Sequence, residues 1–303
     1  MANYQAIIRL RPEVRDFIRH RRWVHRGDVI AYGPNIACDS FSTDGAGFRH
    51  STFRGDTLSV HDCLQRERYG VILGSSHVYG FGLSDNRRTF ASRLAERFDF
   101  PFANVCMPEA SSRNLFAQLA AFIARAPAPP AIVVLMTGGD FTGFCFTRIA
   151  DPVFGSPNLN QMAMVRKERG EPADPTREFA RMLASTSLWT RAIAQICADN
   201  RIPLILGDDT TFFEKVAPST ADAEVGLGQP FNAAQALQFE THRHFFPQFL
   251  TQRAKVADTL KLPLAGPGFH NEFGFVDEFH YDDSGTAAFA ATLSAAIDPL
   301  LSA

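Results

Sequence analysis

From Tyr69 onward the sequence alternates short apolar runs with longer amphipathic ones, and that rhythm restricts the fold more than any other feature of the chain. Strands are predicted at 71–74, 102–106, 132–137 and 202–207, and helices at 86–98, 111–125, 176–200 and about 232–261 and 284–301. Strands separated by helices require crossover connections, so the expected class is α/β, with a mostly parallel sheet covered on both faces. At 303 residues the chain is long enough to bury a full core without disulfide or metal staples. No repeat or low-complexity tract interrupts the pattern.

In parallel sheets of this kind ligands bind beyond the carboxyl ends of the strands. The residues just after Leu73, Cys106, Thr137 and Gly207 are therefore where chemistry is expected. The first of these ends reads Val71-Ile72-Leu73-Gly74-Ser75-Ser76-His77-Val78-Tyr79-Gly80-Phe81-Gly82. Such a glycine-bounded turn can present a hydroxyl beside backbone N–H groups, although Gly-Ser turns also serve purely as connections. It is neither a dinucleotide fingerprint nor a P-loop, because G-x-G-x-x-G and a terminal Gly-Lys-Ser/Thr are both missing.

Near the C-terminus the sequence runs Phe275-Val276-Asp277-Glu278-Phe279-His280-Tyr281-Asp282-Asp283-Ser284-Gly285 into an Ala-rich helix. A carboxylate three residues before a histidine can hold one imidazole nitrogen and leave the other as a base. A serine hydroxyl is a weak nucleophile until such a base takes its proton. Asp277 and His280 thus supply what Ser76 lacks, while Asp282, Asp283 and Ser284 also read as helix caps.

A strand ending in Gly-x-Ser together with D-x-x-H before the last helix resembles the SGNH (GDSL-type) hydrolases. The resemblance runs from about Tyr69 to the C-terminus, and Asp44-Gly45-Ala46-Gly47-Phe48-Arg49 resembles the Gly-x-Arg stretch that precedes the nucleophile in many bacterial members. It implies a three-layer α/β/α, flavodoxin-like fold with about five parallel strands, and acyl-ester chemistry. It also implies that Ser76 is the nucleophile, His280 the base and Asp277 the acid that orients it, with Gly80 matching the later glycine of the first block and Ser75 replacing its Asp.

Two blocks depart from the family pattern. Where the second block has N-x-G-x-x-G, this chain has Asn104-Val105-Cys106-Met107-Pro108-Glu109, so an oxyanion-hole N–H at Glu109 depends on backbone angles that Glu109 must tolerate. Where the third block has G-x-N-D, the chain has Thr137-Gly138-Gly139-Asp140 and no Asn. An ionised Asp140 facing an oxyanion would repel it, which leaves three possibilities: Asp140 is protonated, it is turned away, or the site is modified. The candidate oxyanion donors are Ser76, Glu109, Gly139 and Asp140.

Segments 141–175 and 208–231 lack clear periodicity and are expected as long loops over the active edge. Of the 28 phenylalanines, Phe141, Phe144, Phe146, Phe212, Phe213, Phe269, Phe273, Phe275 and Phe279 fall there or near the tail. The candidate pocket residues are His77, Phe141, Phe212 and Phe279, which either line a pocket or pack loops onto the scaffold. Residues 12–26 are expected as a helix, with Val14, Phe17 and Ile18 on one face and Arg11, Arg15, Arg19, Arg22 and Arg26 as a basic stripe. Residues 1–68 form an N-terminal extension to a catalytic domain at 69–303.

The near-neutral charge, 30 Lys+Arg against 32 Asp+Glu, argues against a nucleic-acid partner. No apolar run reaches the roughly 20 residues that span a bilayer. The five dispersed cysteines lack metal-ligand spacing and are expected as reduced thiols, and His242 and His244 lack companion carboxylates. No metal or cofactor is expected, and the location is expected to be cytoplasmic. The expected function is a serine-dependent ester hydrolase or O-acyltransferase acting on a small acyl (acetyl) ester of a carbohydrate or related small molecule. The alternative is a catalytically impaired binding or scaffold module, and the sequence leaves hydrolysis and transfer, and the oligomeric state, open.

Overall fold

The computed structural model describes residues 7–9, 11–20, 24–26, 29–150, 174–208, 211–215, 219–224, 226–230, 232–266 and 274–302. In chain order, α1 (Glu13–Arg19) is followed by two short hairpins, β1 (Val24–Arg26) with β2 (Val29–Ala31), and β3 (Ser51–Phe53) with β4 (Asp56–Leu58). Then come α2 (Val60–Leu64), β5 (Gly70–Leu73), α3 (Ser76–Tyr79), α4 (Phe90–Phe98), β6 (Phe102–Asn104), α5 (Ser112–Ile123), β7 (Ile132–Met136) and α6 (Gly138–Thr147). The remainder is α7 (Pro175–Asp199), β8 (Leu204–Gly207), α8 (Thr220–Glu224), α9 (Ala233–Leu260), β9 (Leu264–Ala265) and α10 (Asp283–Ser302).

Strands β5 to β9 form one parallel sheet in the order β6-β5-β7-β8-β9, the flavodoxin-like arrangement. Apart from Asn104 at the end of β6 the strands carry no polar side chain, because both faces are covered, and alternate residues enter two cores. Ile72, Val134 and Ile205 join a core with Leu94 of α4 and Phe289 and Leu293 of α10, which also takes in Phe17, Tyr32 and Phe41 from the N-terminal segment. Val71, Leu73, Val133, Leu135 and Leu206 join a core with Leu115 and Leu119 of α5, Ile193 of α7 and Ala257 of α9. This is the three-layer α/β/α architecture with five strands.

Expectations change near the N-terminus and after β7. The basic helix at 12–26 ends at Arg19, and Val24–Arg26 pairs as a strand with Val29–Ala31. The apolar spacing of Val14 and Phe17 does not continue past His20, whereas β-branched Val24, Val29 and Ile30 favour a hairpin. Ile18 is 39% exposed, so only Val14 and Phe17 face the core, and Arg22 lies outside the described residues. Residues 138–147 form α6, where 141–175 was expected as a loop; 151–173 lies outside the described residues. The fifth strand, β9, is only two residues long, too short to carry a periodicity of its own.

Among the described residues, no helix is long and apolar enough to cross a membrane.

Candidate functional site

Strand β5 ends at Leu73 and the chain turns through Gly74 and Ser75 into α3, whose first residue is Ser76. The helix lasts four residues because Gly80 follows at φ 94°, a left-handed cap that glycine adopts without steric penalty. A strand running directly into a helix leaves the Ser76 hydroxyl at the sheet edge.

His280 reaches that hydroxyl from 204 residues further along the chain. Its Nε2 lies 2.8 Å from Ser76 Oγ, and its Nδ1 lies 2.7 and 2.8 Å from the two carboxylate oxygens of Asp277. Asp277 Oδ1 also accepts the backbone N–H groups of Phe279 and His280, both at 2.9 Å. Burial alone would raise the Asp277 pKa, but the His280 charge, the ring hydrogen bond and the two N–H donors outweigh it and hold the group below its usual value. An ionised Asp277 fixes the proton on Nδ1, so Nε2 accepts from the serine hydroxyl. The loop is closed by Val276 N–H donating to His280 O (2.8 Å) and Asp282 N–H to Gly274 O (3.1 Å). Asp282 caps α10 through the N–H groups of Ser284 and Gly285, so the same short segment both caps a helix and presents the histidine.

Gly139, in the first turn of α6, packs against the Gly74–Ser75 turn that leads into α3. A Cβ placed on it would lie 2.2 Å from Ala110 O and 2.9 Å from Ser75 Cβ, so only glycine permits the approach. Glu109 takes φ 61°, the left-handed region natural to the glycine that the family motif has there. Asp140 is turned to the start of α5, where its carboxyl accepts the Ser112 N–H (3.0 and 3.2 Å) and the Ser112 hydroxyl. Loss of hydration raises its pKa to about 6 against these hydrogen bonds.

Of the four candidate pocket residues, Phe279 is half-buried beside His280, with ring contacts to Phe146 (5.9 Å), Phe213 (6.1 Å) and His242 (6.0 Å). Phe141 is buried among Phe179, Phe246 and Phe249. Phe212 is buried against Phe275, and His77 is buried with Nδ1 2.9 Å from Ser75 Oγ. Phe269 and Phe273 lie outside the described residues.

Two features lie outside the residues the sequence singled out, and of these only the Thr211-x-x-Glu214 capping box carries a local signal. The Phe81 ring packs 4.5 Å from the His280 ring. Behind Phe279, Thr211 Oγ1 sits 3.0 Å from His242 Nε2 and 2.9 Å from Glu214 Oε2, and burial raises the Glu214 pKa to about 8. Nearby, burial and then the Asp277 charge raise Glu278 to about 7.

None of the five cysteines is in a disulfide, and burial raises the thiols of Cys63 and Cys197 to about 12, which leaves them protonated and unreactive. Among the described residues no group of three or more His, Cys, Asp or Glu could hold a metal ion.

Comparison with solved structures places the fold in a known architecture. A carbohydrate acetylesterase family member from Sinorhizobium meliloti superposes with a TM-score of 0.51 at 12% identity, over 78% of this chain and 100% of that one. The chain has the SGNH-hydrolase fold. Other structures of this fold that it resembles include TesA (TM-score 0.46, 16% identity, 77% of this chain and 99% of that one). A carbohydrate esterase family 2 enzyme with a carbohydrate binding domain from Corynascus thermopiles (Myceliophthora fergusii) gives 0.46 at 13% identity, over 86% and 75% of the two chains. No family model matches the sequence, and no curated protein does.

Proposed function

We propose that the chain is a serine-dependent ester hydrolase or O-acyltransferase that works through Ser76, His280 and Asp277. The observation that carries this reading is the continuous hydrogen-bonded series Ser76 Oγ, His280 Nε2, His280 Nδ1, Asp277, with spacings of 2.7–2.8 Å. Ser76 Oγ attacks the ester carbonyl as its proton passes to Nε2, and Asp277 stabilises the imidazolium that forms. His280 then returns the proton to the departing alkoxide, leaving an acyl-serine. Water, or a hydroxyl of an acceptor, attacks the acyl group with His280 again acting as base.

Backbone N–H groups of Ser76, Glu109 and Gly139 receive the developing oxyanion. The engagement of Asp140 with Ser112 supports this division, since its carboxyl is drawn to α5. A single good donor is worth roughly 3 kcal/mol of transition-state stabilisation. Half-buried Phe81 and Phe279 beside His280, with Phe146 43% exposed next to Phe279, offer apolar surface to the substrate. A small acyl group, acetyl on a carbohydrate, is the substrate class we assign; the name of the Sinorhizobium meliloti structure agrees with it.

Turnover of p-nitrophenyl acetate and butyrate by the wild type and Ser76→Ala, with fluorophosphonate labelling, tests the reading. Labelling confined to Ser76 and turnover lost in Ser76→Ala are expected. Equal background rates in both proteins with no label would overturn it.

A further inference from the structure

The residues that follow the proposed nucleophile are gripped one after another by the N-terminal segment. Tyr79 stacks on Tyr32 (5.1 Å, 17°). The Gly80 carbonyl accepts from Arg49 Nη1, and the Phe81 ring lies 5.2 Å from that of Phe17. Arg49 is 1% exposed, and its other nitrogens donate to Asn86 Oδ1 and Ser40 O, both at 2.9 Å. Its guanidinium also lies over the rings of Phe17 (5.2 Å) and Phe41 (5.8 Å). Carbonyls, an amide and aromatic faces thus surround this cation, and every one of them belongs to the N-terminal segment or the stretch 80–86.

The base is held from the same side. Arg11 Nη2 donates to Asp282 Oδ2 at 2.7 Å, two residues after His280, leaving Oδ1 to cap α10. Phe81 closes the circuit by packing on His280 itself.

We propose that Arg11, Phe17, Tyr32 and Arg49 act as a clamp that sets the Ser76–His280 spacing, with Arg49 positioning the nucleophile turn and Arg11 positioning the histidine loop. The proposal rests on the reading of Ser76 as nucleophile. Arg11 and Arg49 are positioning residues: neither is assigned a contact with substrate.

Because the Arg11 side chain is 33% exposed, Arg11→Gln can lose the bridge without opening the core, whereas changes at Arg49 put the fold at risk. The expected result for Arg11→Gln is a kcat about tenfold lower with KM unchanged and slower fluorophosphonate labelling, while Arg11→Lys stays within about threefold of wild type, in line with the steep penalty for ångström-scale misplacement of reacting groups. Arg49→Lys should show the same split between kcat and KM. Arg11→Gln with wild-type kcat, or a loss that merely follows the folded fraction, overturns the clamp.

If the wild type neither labels nor turns over ester, the functional reading fails, and amide hydrogen exchange then decides the clamp separately. Faster exchange confined to 274–282 in Arg11→Gln supports it, and unchanged exchange there overturns it.

Discussion

Asp277 is buried and Glu214 half-buried near the same histidine loop, yet their protons behave oppositely. Asp277 has two backbone donors and an imidazole, so it stays ionised; its contribution to stability is present above the unfolded pKa and is lost as pH falls through the depressed folded value. Glu214 has only Thr211 to offset burial, and its pKa rises from 4.5 to about 8. Between those values the folded state binds a proton that the unfolded state releases, so this group makes stability fall as pH rises from 4.5 to about 8. Glu214→Gln, which keeps an amide oxygen for the Thr211 N–H, is expected to flatten that slope. Urea midpoints measured at pH 5 and pH 8 would show the variant gaining on the wild type at the higher pH; parallel curves would refute the assignment.

Among elements, α6 is the one whose placement the chemistry depends on most, because its first turn packs on the nucleophile turn through Gly139. Gly139→Ala would bring a methyl 2.2 Å from the Ala110 carbonyl oxygen, so the start of α6 must move away from Ser75. A fall in kcat of about 100-fold is expected, the scale for losing one oxyanion donor. The far-UV circular dichroism should stay native, because the Phe141, Phe144, Phe179 and Phe249 contacts that seat the rest of α6 lie further along the helix or on its neighbours. Undiminished kcat in this variant would remove the α6 N-terminus from the proposed oxyanion hole.

For the molecule as a whole, the sheet and the site are separable. Ile205 is fully buried in β8, inside the core beneath α10. Ile205→Ala should cost about 2–5 kcal/mol through lost burial and the cavity left behind. Thermal melts should register that loss, while turnover per folded molecule stays near wild type, since Ile205 packs in the core beneath α10 and is not one of the proposed site residues. Turnover per folded molecule that drops with the melting temperature would contradict this separation.

Much of that architecture is written locally. The short, β-branched runs at Val71–Leu73, Ile132–Met136 and Leu204–Gly207 read as doubly covered strands, and the helices between them dictate parallel crossovers. The short-range grouping Asp277-x-x-His280 also declares its own hydrogen bond, because three residues of a turn suffice to bring carboxylate and imidazole together. Local pattern does not reach β9, whose two residues are a strand only because β8 lies beside them, or α6, whose glycines and phenylalanines have weak intrinsic helix preference and are held by α7 and α9. Nor does it reach the 204-residue closure of Ser76 on His280, the turning of Asp140 to Ser112, or the grip of Arg11 and Arg49 on the two halves of the site. Each of these is a contact between distant segments, whose ordering entropy is offset only when the whole core has formed. The residue types and periodicities along the chain therefore determined the class of fold and, through two short motifs, named Ser76, Asp277 and His280 as candidates, and tertiary packing alone decided that they meet.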